Sequence, residues 1–168
     1  MTSKKRAALV GAALWLAVAA WMATLFSLSA QTGEQSASLS GNLIVAVMSV
    51  VNPGFSELSP ARQLAAIAPY QHLVRKAAHF TAYFVLGALV SLALGQSGIR
   101  GRNRFLLALA IAAAYAASDE FHQLWVGGRG GLATDVLIDA SGALLAVALA
   151  TAADYLRRGR RAIPSRGR

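Results

Sequence analysis

The chain has 168 residues and no cysteine, only four prolines and only seven acidic side chains. Without cysteine there can be no disulfide framework, no thiolate metal site and no cysteine nucleophile. Charge is scarce as well. Charged residues make up 14% of the chain against 56% hydrophobic ones, and the mean hydropathy is +0.50, too apolar for an ordinary water-soluble domain. The length suggests one domain. Several apolar runs approach or reach the roughly 20 residues that a helix needs to cross a bilayer. The composition therefore describes an integral membrane protein. Its net charge of +9 is no sign of nucleic-acid binding, because no aromatic or folded RNA- or DNA-binding motif accompanies the basic residues.

Four spans can be read along the chain. The first is Ala7 to about Leu28, "AALVGAALWLAVAAWMATLFSL", behind Lys4, Lys5 and Arg6. A secretory signal peptide is the rival reading, but the run exceeds a typical signal core and Leu28 is a poor residue three places before a cleavage at Ala30. The stretch from 29 to 69 reads as a partly helical outer loop. Its "SAQTGEQSASLSGN" is polar, and "LIVAVMSVV" (43–51) is too short to span and suits an interfacial or re-entrant piece. Ser59-Pro60 marks the start of a short helix that ends before Pro69. The second span runs from about Tyr70 to Leu94, the third from about Phe105 to Val126 and the fourth from about Leu132 to Leu156. The basic tail 157–168 is expected to be disordered or to rest on lipid.

Orientation follows from the placement of the bases. The N-terminal segment, the 95–104 loop and the tail hold 12 of the 16 lysines and arginines, and the opposite side holds six of the seven acids. Positive charge concentrated in short segments marks the cytoplasmic face, so both termini are expected there.

The scarce acids are not scattered. "SDEFHQLWVGGRGGLATDVLID" (118–139) holds four of the seven. At about 1.5 Å rise per residue, Asp119 falls roughly 20 Å into a hydrocarbon core about 30 Å thick. Asp119, Glu120, His122 and Gln123 thus sit in the outer leaflet. The second and fourth spans enter from that side, which brings Lys76, His79, Tyr83, Asp135 and Asp139 to a similar depth. Lys76, His79 and Tyr83 share one helix face, as do Asp119, His122 and Gln123, with Glu120 rotated about 100° away. Asp135, Asp139 and Gly142 share a face too, and Gly142, Ala143 and Ala146 permit close helix approach. Charges at this depth cost roughly 2.5–3.5 kcal/mol each, so they should face one another rather than lipid. Arg129, in the "GGRGG" turn, can reach back to a carboxylate.

The segments "RKAAHFTAYFVLG" (75–87), "SDEFHQLWVGGRGGLATDVLIDASGALL" (118–145) and, more weakly, "FSLSAQTGEQSASLS" (26–40) resemble the VanZ-like family of bacterial membrane proteins. Gly127 stands where that family usually has proline. The resemblance implies an all-α, polytopic four-helix membrane bundle, a single domain covering 1–168, and a role in glycopeptide resistance of the teicoplanin type.

Several functions fit these residues. His79, Asp119, Glu120, His122, Asp135 and Asp139 could form a catalytic set, acting by acid–base chemistry or around a divalent metal such as Zn²⁺, Mg²⁺ or Mn²⁺. Lys76, Tyr83, Gln123 and Arg129 could bind a membrane lipid, a lipid-linked envelope precursor or a glycopeptide, with Phe121 and Trp125 packing on its rings or chains. Intramembrane acids also mark proton or ion relays. The plainest reading is that the acids and bases only lock three helices together. Trp15, Trp21 and Trp125 read as lipid-packing or interface residues, His72 as solvated, and Glu34, Glu57 and Asp154 as ordinary loop or helix-end charges. Ser118 lacks the elbow motif of a nucleophile.

Overall fold

The structure, a computed structural model, describes residues 2–129 and 133–161, with side chains described through Arg157. Every regular element among these residues is helical: α1 (Ser3–Ser29), α2 (Gly33–Val51), a single 3-10 turn (Pro53–Phe55), α3 (Pro60–Gln96), α4 (Gly101–Gln123) and α5 (Ala133–Arg161). α1, α3, α4 and α5 are each long and apolar enough to cross a membrane, as the sequence anticipates.

α3 is the centre of the bundle, because α1, α2, α4 and α5 all pack against it. The main core joins Val18 and Leu25 of α1, Tyr83, Leu86 and Val90 of α3, Ala108, Ala112 and Ala116 of α4, and Ala143 and Val147 of α5. Small side chains dominate α4 and α5. Without a strong hydrophobic force between helices in lipid, close backbone approach supplies the dispersion contact that holds a bundle together. The tightest crossing lies between α3 and α5. A Cβ added at Gly142 would stand 2.2 Å from the Phe80 carbonyl oxygen, and one at Gly87 would stand 2.8 Å from that of Ala143. The tryptophans of α1 serve packing as well as lipid contact. Trp21 Nε1 donates to the Ala82 carbonyl at 2.9 Å and Trp15 Nε1 to Ser97 Oγ at 3.1 Å.

Three boundaries differ from the sequence reading. The polar stretch after α1 is not loop. It forms the first half of α2, which starts at a capping box: Gln35 N–H donates to Thr32 Oγ1 at 3.3 Å and Thr32 N–H to Gln35 Oε1 at 2.9 Å. These reciprocal bonds satisfy two donors that an uncapped terminus leaves open, and "LIVAVMSVV" continues the same helix. Second, Pro69 does not separate a short helix from the second span but lies inside α3. The proline deprives the Ala65 carbonyl of its usual donor, yet both residues are exposed, so that carbonyl can be solvated. Third, Leu124–Val126 have left α4, and α5 continues through Arg161, turning the start of the tail into helix. Gly130, Gly131, Leu132 and the tail beyond 161 lie outside the described residues.

At 37 residues, α3 is about 55 Å long, well beyond a hydrocarbon core of about 30 Å. Its first turns carry α2 through a second small core of Ile44, Phe55 and Ile67. Leu39, Leu43, Val47 and Val50 form an exposed stripe along α2, the pattern of an interfacial helix. Gly33 N–H also donates to the Gly127 carbonyl at 3.1 Å, tying the start of α2 to the turn after α4.

The crossing gives a direct test. Gly142→Val is expected to destabilise the protein by about 1–3 kcal/mol through overpacking against Phe80. Gly127→Ala, where an added Cβ meets nothing within 4 Å, should be near neutral. Thermal unfolding of both variants in one detergent checks the contrast.

Candidate functional site

The parallel crossing of α3 and α5 brings their polar faces together one turn apart. Lys76 Nζ lies 2.7 Å from Asp135 Oδ1, and His79 Nδ1 lies 3.4 Å from Asp139 Oδ1. α4 contributes Asp119, Glu120 and Gln123, exposed by 4%, 5% and 5% respectively, against 0% for Asp139. Such burial of carboxylates in an apolar bundle is costly unless other groups compensate it. Gln123 Nε2 donates to Asp119 Oδ2 at 3.3 Å. Asp119 Oδ1, Tyr83 Oη and both oxygens of Asp139 are buried without a hydrogen bond among the described residues.

The expected face of α4 is therefore wider than its spacing suggested. Glu120, placed about 100° from Asp119, is nevertheless buried because α4 wedges between two neighbours. One ligand atom each from His79, Glu120 and Asp139 falls within 4.8 Å of the others. Asp119 turns instead to the side of α1 and α3, near Tyr83. His122 is not brought into this group: its ring stands 4.6 Å from that of Phe26 on α1, with Nε2 buried and without a hydrogen bond among the described residues. Phe121 and Trp125, 64% and 78% exposed, line neither cavity described next.

Two cavities meet at the cluster. The first, of about 200 Å³, lies between α1, α2 and α3. Its wall is mainly apolar (Leu25, Leu28, Leu39, Leu43 and Val74), and Tyr83, Asp119 and Arg129 mark its polar end. The second, of about 210 Å³, is polar and lined by His72, Lys76, Gln123, Asp135 and Asp139. Arg75, His79 and Arg129 line both. Burial and the neighbouring Arg75 lower the proton affinity of the Arg129 guanidinium, while Asp119 and Glu120 oppose that shift. Arg129 thus stands in the field of two carboxylates. It remains a cation at neutral pH.

Sequence reasoning missed Arg75 and the α2 side of the apolar cavity. Arg75 is one helical turn before His79, and that spacing was the available signal. Leu39 and Leu43 were missed because α2 was read as largely loop. Asp154, expected as an ordinary helix-end charge, pairs with Arg104 Nη1 at 2.8 Å at the opposite end of the bundle.

The fold and site define a multi-pass helical membrane protein with a buried polar cluster near one end, open to two cavities. Residues 14–154 match the family model described as VanZ/LLP1, and the chain belongs to the VanZ-like family. No curated protein and no solved structure matches it.

The Lys76–Asp135 pair is partly exposed, at 27% and 29%. A double-mutant cycle with Lys76→Met and Asp135→Asn is expected to give a coupling of about 0.5–1 kcal/mol, measured by unfolding in detergent. Raising the salt concentration should reduce it.

Proposed function

We propose that the chain binds an amphiphile of the cell envelope, a membrane lipid or lipid-linked precursor with an anionic group. The observation that carries this reading is that an apolar cavity and a more polar one share Arg75, His79 and Arg129 in their walls. An acyl or polyprenyl chain lies along Leu25, Leu39 and Leu43. The anionic group meets the guanidiniums of Arg75 and Arg129, whose planar forks suit phosphate oxygens. Tyr83 and Gln123 orient the group between these two regions. Lys76, held by Asp135, borders the polar cavity rather than the chain.

The same residues support a modifying role. His79 and the carboxylates Asp119, Glu120, Asp135 and Asp139 offer proton carriers beside the bound anionic group, while His122, turned to Phe26, takes no part. The basic segments at both termini and in the α3–α4 loop support an inner-membrane protein with cytoplasmic ends and a site facing the outer leaflet. From that leaflet, capture or modification of an envelope component would lower susceptibility to glycopeptides of the teicoplanin type.

Two measurements test this. Native mass spectrometry of protein from nanodiscs with equal phosphatidylglycerol and phosphatidylcholine should find the anionic lipid preferentially retained. Arg75→Ala and Arg129→Ala should each weaken that preference about tenfold or more, since a hydrogen bond to a charged group is worth roughly 1.5–3 kcal/mol. Equal retention of both lipids by the wild type would count against the reading. Separately, expression in a teicoplanin-sensitive bacterium should raise the inhibitory concentration, and His79→Gln should abolish the rise at unchanged membrane abundance.

A further inference from the structure

The geometry points to a divalent transition-metal site formed by His79, Glu120 and Asp139, one residue from each of α3, α4 and α5. One nitrogen and two carboxylate oxygens converge within 4.8 Å. The Asp139 carboxylate has no exposure at all, and neither of its oxygens accepts a hydrogen bond among the described residues. A buried carboxylate without such partners carries a desolvation cost that calls for a compensating group. Its approach to His79 Nδ1, at 3.4 Å, is longer than a good hydrogen bond of about 2.7–3.2 Å. That one separation matches the edge of a tetrahedron around Zn²⁺, about 3.3–3.4 Å for bonds of about 2.0–2.1 Å, while the trio as a whole, spread within 4.8 Å, would draw together on binding.

Asp139 and Glu120 bring two carboxylates to that centre beside one imidazole, and Lys76, one turn away, is engaged by Asp135 at 2.7 Å. Arg129 acts on both Glu120 and His79 and is not one of the three convergent residues. The donor set narrows the ion. Imidazole with carboxylates suits Zn²⁺ and Mn²⁺, whereas Ca²⁺ takes six to eight oxygen ligands and soft Cu⁺ prefers sulfur. Three protein ligands leave a coordination position open, as in catalytic rather than structural zinc sites. His79 and Asp139 line the same polar cavity as Arg75 and Arg129, the cavity proposed for the anionic group. Metal binding itself is independent of the lipid reading, and the ion alone is the probe.

The experiment uses the full chain, purified in detergent with a tag free of histidine, stripped with chelator and then dialysed against Zn²⁺ or Mn²⁺ without added lipid. Elemental analysis after desalting is expected to find about one ion per chain, and bound metal should raise the melting temperature. Asp139→Asn and Glu120→Gln should each reduce the bound metal about tenfold or more, whereas Asp154→Asn, at the other end of the bundle, should retain it. Because a cluster variant can fail to fold, Co²⁺ is also titrated into the wild type, where visible d–d absorption that Zn²⁺ abolishes is expected. Wild-type metal well below one ion per chain, absence of the Co²⁺ bands, or full metal content in a folded Asp139→Asn variant would overturn the proposal. Failure of lipid retention with metal uptake intact would overturn only the lipid reading.

Discussion

Everything at the polar end of this bundle depends on how closely α3 and α5 cross. Gly142 lets the α5 backbone reach the Phe80 carbonyl, and Gly87 lets the α3 backbone reach Ala143. Neither contact leaves room for a methyl group. Because the two helices run parallel, this crossing aligns Lys76 with Asp135 and His79 with Asp139. A bulkier crossing would separate the helices and leave these charges in an apolar medium, where each is costly. Packing and polar chemistry are therefore one constraint here. The small residues are what make the buried acids tolerable.

The two ends of the bundle use charge differently. At one end Arg104 meets Asp154 at 2.8 Å, donates to the Ala150 carbonyl and opens onto no described cavity. That arrangement fixes α4 against α5 and leaves one buried nitrogen, Arg104 Nε, without a hydrogen bond among the described residues. At the other end Asp119 Oδ1 and both oxygens of Asp139 are buried without a hydrogen bond among the described residues, and the cavities on either side bring in Arg75 and Arg129. A cluster serving stability alone would be expected to resemble the first end, since half-satisfied buried polar groups are worse than an apolar core. The contrast within one molecule is the physical reason for reading the second end as a site.

α2 adds a part that an ordinary four-helix bundle lacks. Its capping box starts the helix soon after α1, and its bond to Gly127 ties it to the turn that carries Arg129. One face packs on the projecting turns of α3 through Ile44 and Ile67. Leu39 and Leu43 help to wall the apolar cavity, which places α2 beside the route by which a chain would approach the site.

Much of this was legible in the residues. Long apolar runs forced four membrane helices, since a backbone in lipid must satisfy its own hydrogen bonds. Depth counting set Lys76, His79, Tyr83, Asp119, Glu120, His122, Gln123, Asp135 and Asp139 at one level, because rise per residue is nearly constant, although His122 turns to Phe26. The small residues at 142, 143 and 146 announced a close contact. Local signals misled at Pro69, where an exposed carbonyl tolerates the lost bond, and at Thr32–Gln35, where a capping box sits in a stretch polar enough to look like loop. Helical phase alone set Glu120 apart from Asp119, whereas packing α4 between neighbours buries both. By itself the sequence determined the number and order of the apolar helices long enough to span, because these follow from composition and length. Only the tertiary structure decided which acid meets which base, that His122 turns to Phe26, and that Arg75 lines two cavities. Those outcomes depend on how the helices rotate and approach one another, which no single helix encodes.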